Sequence, residues 1–97
     1  MVEHLVLFKL KAEATAADAD AILEGLRGLP AAIDTIRELH CGRNFSPRGQ
    51  GFDLALRVLF DDRAGLEVYG PHPAHQGLVA AVIKDRCDDV LVADFEC

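Results

Sequence analysis

Basic residues are scarce in this 97-residue chain: ten lysines and arginines stand against sixteen aspartates and glutamates, for a formal net charge of -6. The acids are spread along the sequence rather than gathered in a tail. Without a basic footprint for phosphates, nucleic acid is excluded as a natural partner, and an anionic membrane surface is excluded on the same ground. Cysteine is also sparse. Cys41, Cys87 and Cys97 are an odd number at wide spacing, which suits neither a disulfide framework nor a zinc ligand set. No CxxC pair or neighbouring basic cluster lowers a thiol pKa, so a redox role is set aside and free thiols are expected. Long apolar runs are missing too: none approaches the roughly 20 residues needed to span a bilayer. The opening "VEHLVLFKLK" has neither a basic n-region nor a small-residue cleavage site, so no signal peptide and a cytoplasmic location are expected. There is no repeat and no low-complexity segment.

What is present is globular. Hydrophobic residues make up 51% and charged residues 27%, a composition that buries a core rather than staying disordered. The length predicts one domain over residues 1–97. A chain this short buries only roughly 60–65% of its unfolded surface, so a partner subunit would add materially to its stability.

Residues 2–11 alternate, with Val2, His4, Val6, Phe8 and Leu10 on one face and Leu5 and Leu7 on the other; period two predicts a strand. Thr15 to Asp18, "TAAD", reads as a capping box. Ile22, Leu23, Leu26 and Leu29 follow at helical spacing, and Pro30 is expected to stop that helix. "TIRELHCG" (35–42) predicts a second strand, followed by the Gly/Pro loop from Gly42 to Gly51. "FDLALRVLF" then sets Phe52, Leu54, Leu56, Val58 and Phe60 on one face of a third strand, with a mixed face opposite. Asp61 or Asp62 can cap a short helix ending near Tyr69. "GPHP" breaks it, and Pro73 suits the first turn of a helix carrying His75, Leu78, Val79, Val82 and Ile83 on one side. "DVLVADFE" (89–96) closes the chain as a strand.

The order βαββαβ implies an α+β fold, a four-stranded antiparallel sheet with helices on one side. Val6, Phe8, Leu54, Leu56, Val58, Val90 and Val92 form the natural helix-facing side. Leu5, Leu7, Ala55, Leu59, Leu91, Ala93 and Phe95 lie opposite and are also apolar, where a solvated face would be polar. No element is left to cover them. A second copy stacked sheet to sheet would do so, and a homodimer is expected.

Two of the four histidines, His4 and His75, interrupt apolar faces aimed at the same interior. Asp94 shares the sheet face of His4, and Tyr69 precedes His75 by one helix break. These four groups are expected to converge at one end of an aliphatic cavity, the usual form of a small-molecule site. Each also has an ordinary reading: a satisfied core histidine, a core tyrosine with its hydroxyl at the surface, a carboxylate on a backbone amide, and His72 as a helix cap. The coincidence on three elements favours the pocket.

The stretches "EHLVLFKLK", "FDLALRVLFDDRAGLEVYGPHPAHQGLV" and "DVLVADFE" resemble the stress-responsive A/B barrel (Dabb) proteins over nearly the whole chain. The most specific part is Tyr-x-x-His-Pro-x-His, here Tyr69, His72, Pro73 and His75, combined with His4 and "ADFE". The resemblance implies a ferredoxin-like protomer in a dimeric α/β barrel, sheets face to face. One plant branch, the olivetolic acid cyclases, closes a linear polyketide by a C2–C7 aldol condensation without a cofactor. By that resemblance Tyr69 and His75 are the catalytic pair, with Asp94 holding the imidazole in one tautomer. His4 belongs to the pocket. The chemistry is coherent: a base removes an α-proton and a phenol donates to the carbonyl that becomes an enolate or alkoxide.

The ligand-lining set expected is His4, Val6, Phe8, Ile22, Leu23, Leu26, Leu56 and His72. Ile22, Leu23 and Leu26 stand where the cyclases carry aromatics, so a differently shaped cavity is expected. Neither a metal nor a cofactor is required. HxxH spacing at His72 and His75, without a matched third ligand, is a weak metal signal. The ligand expected is a small apolar or polyketide-like molecule. The competing function is a non-catalytic ligand-binding stress-response protein.

Overall fold

A computed structural model of the chain describes residues 1–97. Its elements are β1 (Val2–Leu10), α1 (Ala16–Arg27), α2 (Leu29–Ala32), β2 (Ile36–Arg43), β3 (Leu54–Phe60), α3 (Arg63–Tyr69), α4 (Pro73–Leu78), a π-helical turn (Val79–Ile83) and β4 (Cys87–Glu96). The strands form one sheet in the order β2-β3-β1-β4, every neighbouring pair antiparallel. This is the expected βαββαβ path with two refinements.

The first concerns Pro30. It does not stop the first helix: α1 closes on Gly28, and Pro30 sits in the opening turn of α2. A missing N–H and a fixed φ cost nothing in a first turn, so a proline that ends one helix pattern can equally begin another. The second concerns the last helix, which is not uniform. After Leu78 it widens into the π-helical turn, and its side chains drift from the 3.6-residue stripe.

The caps follow the local chemistry. The Asp18 amide donates to Thr15 Oγ1 at 3.3 Å, and the Thr15 amide donates back to Asp18 Oδ2 at 2.8 Å. That backbone bond, with the Arg86 guanidinium beside it, holds the Asp18 carboxyl below the usual carboxylate range. Of the two candidate caps for α3, Asp62 serves, accepting from the Gly65 amide at 3.0 Å, while Asp61 pairs with Arg37.

The core lies between one sheet face and the helices. Val2, Val6 and Phe8 of β1 and Leu54, Leu56, Val58 and Phe60 of β3 meet Ile22, Leu23, Leu26, Leu29 and Ile33. Register sets this face: Val6 stands between Leu56 and Val92, and His4 between Val58 and Asp94. Val90 and Val92 share the face, as the alternation requires, but are 44% and 49% exposed because the helices do not reach over the edge strand. On the opposite face Leu5, Leu91 and Phe95 are exposed. Glu3 is buried there against Arg57, which also reaches Glu38.

Ile22 is fully buried beneath the sheet. Ile22→Ala should therefore lower the free energy of unfolding by about 2–5 kcal/mol, read from urea transitions; a loss under about 1 kcal/mol would place it outside the packed core.

Candidate functional site

β1, α3 and the arm formed by α4 and the π-helical turn bring three aromatic side chains into one stack. Tyr69, the last residue of α3, is 2% exposed and lies edge-on to Phe60 at a 5.4 Å centroid separation. His4 meets it edge-on at 5.5 Å, and His75 lies tilted against it at 4.4 Å. This stack borders a cavity of about 370 Å³ between the sheet and the helices. The rest of its lining is mostly aliphatic, with Val6, Phe8, Leu26 and Leu56 on the inner side and Val90 and Val92 on the edge strand.

Each polar group is held differently. His75 Nδ1 lies 2.8 Å from the Gly70 carbonyl oxygen. A carbonyl only accepts, so Nδ1 carries the proton and donates, and Nε2 of the neutral ring keeps the lone pair. Gln76 Nε2 donates to the same carbonyl at 3.0 Å. The break at "GPHP" thus turns the Gly70 carbonyl into a tautomer-fixing group. Burial pushes the Tyr69 phenol up to about 12, with no hydrogen bond counteracting it. The neutral hydroxyl is therefore a donor across the physiological range.

Asp94 departs from the expectation. Its Oδ1 lies 2.5 Å from Nδ1 of His4, which it faces across the β1–β4 ladder. His75 takes its orientation from Gly70 instead. The expected Asp94–His75 coupling is thus replaced by an Asp94–His4 pair, because cross-strand register brings His4, rather than a residue of α4, within reach. Asp94 itself is half-exposed and lies outside the cavity, in a neighbouring cleft.

Of the expected lining, His4, Val6, Phe8, Leu26 and Leu56 border the cavity together with Tyr69 and His75. Ile22 and Leu23 do not. They point into the closed core, since only Leu26, one turn further along α1, reaches the hollow. His72 is a cap: its Nδ1 accepts from the Ala74 amide at 3.1 Å. That leaves the HxxH pair bound to separate backbone groups, and no group of three or more His, Cys, Asp or Glu side chains is arranged to hold a metal ion. Leu66, Gly70, Val79 and Ile83 also line the cavity. Val79 and Ile83 were legible as apolar stripe residues, while Leu66 and Gly70 gave no signal beyond their nearness to Tyr69.

The stress responsive A/B barrel domain matches residues 2–97. The chain belongs to that family. An uncharacterized protein of Streptomyces coelicolor is 39% identical over 99% of both chains. The Cannabis sativa protein named olivetolic acid cyclase is 24% identical over 97% of this chain and 94% of its own. Among solved structures, a dimeric ferredoxin-like protein of unknown function from Bacteroides fragilis superposes with a TM-score of 0.85 at 28% identity, covering 99% of this chain and 95% of that one. A hydroxynitrile lyase from Passiflora edulis gives 0.85 at 19% identity, covering 97% and 90%. These likenesses agree with the resemblance drawn from Tyr69, His72, Pro73 and His75 and with the ferredoxin-like α+β fold. No helix of this A/B barrel chain is long and apolar enough to cross a membrane.

Tyr69 is the chain's one tyrosine, and tryptophan is absent, so phenolate absorbance reports it without overlap. The titration midpoint should fall near 12 rather than the ordinary 10.0. A phenol whose folded pKa is raised contributes stability that is complete below the unfolded value and is lost as pH rises through the folded one. Thermal stability should thus decline in that alkaline window, less so in Tyr69→Phe. A midpoint at the ordinary value would mean that the phenol is solvated.

Proposed function

We propose that this A/B barrel protein is a homodimeric, cofactor-free proton-transfer catalyst acting on a small carbonyl compound with an apolar, polyketide-like body. One observation carries the reading: a tautomer-fixed imidazole, His75, in contact at 4.4 Å with a buried neutral phenol, Tyr69, at the wall of an aliphatic cavity. His75 Nε2 takes a proton from the carbon next to a carbonyl. The Tyr69 hydroxyl donates a hydrogen bond to the oxygen as it gains charge, in a site where low dielectric strengthens that bond. The enolate carbon then attacks a second carbonyl of the same chain, forming the carbon–carbon bond, and the new alkoxide recovers the proton from the His75 imidazolium. Atoms balance without a metal or redox partner. His4, held by Asp94, closes the polar end of the cavity and orients the carbonyl. The similarity to a protein named a cyclase supports this class of reaction.

Leu26 adds an aliphatic side chain to the inner wall beside Val6 and Leu56, surroundings suited to an apolar ligand body. With a linear β-polyketo thioester as substrate, His75→Ala should reduce product formation by about 10²–10⁴-fold and Tyr69→Phe by about 10²–10³-fold, each with an unchanged circular dichroism spectrum. Equal rates in variants and parent overturn the catalytic reading. A parent protein that binds the thioester and releases it unchanged would be a carrier instead.

The homodimer rests on the open sheet face, where a hollow of about 540 Å³ is floored by Leu5, Leu7, Ala55, Leu91 and Ala93. A second sheet packed there would cover that floor. Sedimentation at micromolar concentration should give the mass of two chains, and Leu91→Asp should shift it toward one; a wild-type mass of one chain removes the dimer.

A further inference from the structure

Strand register gives the cavity a direction. On β1 its wall runs His4, Val6, Phe8. β4 is antiparallel, so Val92 stands beside Val6 and Val90 beside Phe8. The helical arm above has the same sense. His75, Val79 and Ile83 recur every four residues and all line the cavity, as one face of a helix does. His75 lies against Tyr69, which also meets His4. Ile83 is tied to the opposite end. Its carbonyl accepts from the Arg86 amide at 3.0 Å, and the Arg86 carbonyl accepts from the Lys11 amide, just past the end of β1, at 3.0 Å. The hydrogen-bonding side chains His4, Tyr69 and His75 are thus gathered at one end. Phe8 and Ile83, 4% and 5% exposed, close the other. The lining stops there: Leu54, which pairs with Phe8, and Leu10, next on the same face, do not belong to it. Four strand residues separate His4 from Phe8, a span of about 13 Å.

We propose that this protein holds its ligand lengthwise along β1, the carbonyl at His4, Tyr69 and His75 and the apolar tail ending against Phe8, Ile83 and Val90, which set the length it accepts. The inference rests on the functional reading above, which takes this cavity as the site of a carbonyl compound with an apolar body. Between the two ends the wall is Val6, Leu56, Val79 and Val92, and none of these side chains can form a hydrogen bond. A reversed ligand would press its carbonyl against Phe8 and Ile83 and leave the oxygen unpaired, while a forward one keeps that bond and buries its methylenes. One orientation is therefore favoured by both ends at once.

The test is NMR of the intact protein with 2-heptanone and 2-undecanone, whose acetyl and terminal methyl groups resonate apart. Intermolecular NOEs should join the acetyl methyl to ring protons of His4, Tyr69 and His75, and the terminal methyl of 2-undecanone to Phe8, Ile83 and Val90. Val90→Phe, at a half-exposed position, adds a ring at the far end. It should weaken 2-undecanone by about fourfold for each methylene it displaces and leave the shorter 2-heptanone as in the parent. Phe8→Leu shortens the end wall and should improve 2-tridecanone relative to 2-undecanone, which gives a second reading of the same end. A terminal methyl that contacts Tyr69 or Leu66 instead, or affinities with no length-dependent change in either folded variant, overturns the orientation while leaving the cavity reading intact. Ketones that leave His4, Tyr69 and His75 undisturbed in the parent overturn both.

Discussion

Everything in this molecule is registered against β1. It is an inner strand with β3 on one side and β4 on the other, so each residue from Val2 to Phe8 has two cross-strand neighbours. His4 faces Val58 and Asp94 at the same level, and Val6 faces Leu56 and Val92. A slip of one residue would turn the whole set over, sending Val2, Val6 and Phe8 to the open face and Leu5 and Leu7 into the core. Packing of the helices on Val2 and Phe8 therefore fixes chemistry as well as stability. The imidazole reaches its carboxylate because the hydrophobic face must point one way.

The site then depends on how the chain leaves that sheet. β3 delivers Phe60, against which Tyr69 packs, and α3 is short because the next segment holds two prolines. The break at Gly70 frees a carbonyl for His75 and starts a new helix with Pro73 in its first turn and His72 as its cap. Proline here does not merely interrupt. It sets Tyr69 and His75 on different helices whose side chains meet, an arrangement that one straight helix would not give to residues six apart.

Much of this could be read from the residues alone, and the reasons for the exceptions are physical. Period-two alternation in β1 and β3 and the Thr15–Asp18 box are local patterns, and they specified the strands and the start of α1. The convergence of His4, Tyr69 and His75 was legible because each interrupts or borders an apolar stripe. Three other features depend on geometry that spacing does not carry. The partner of Asp94 was set by inter-strand register. The separation of Ile22 and Leu23 from Leu26 was set by where along α1 the core opens into a cavity. The π-helical turn after Leu78 has no local signature, since "VAAVI" would suit an ordinary α-helix as well. Pro30 misled for a related reason: one residue satisfies the rule for ending a helix and the rule for beginning one.

The uncovered edge strand has a consequence for the life of the newly made chain. β4 presents Val90, Leu91, Val92 and Ala93 in succession, with unpaired backbone groups along its outer side and apolar side chains exposed on both faces. Such a segment is a template on which other chains can add strands, the first step toward aggregation. The same segment carries its own guard. Asp88 and Asp89 precede it, and Asp94 and Glu96 follow, the last two paired with His4 and Arg63; acidic side chains flanking an edge strand oppose edge-to-edge pairing. Part of the chain's surplus of negative charge thus lies beside the one strand whose apolar side chains are exposed on both faces, where charge works against strand addition.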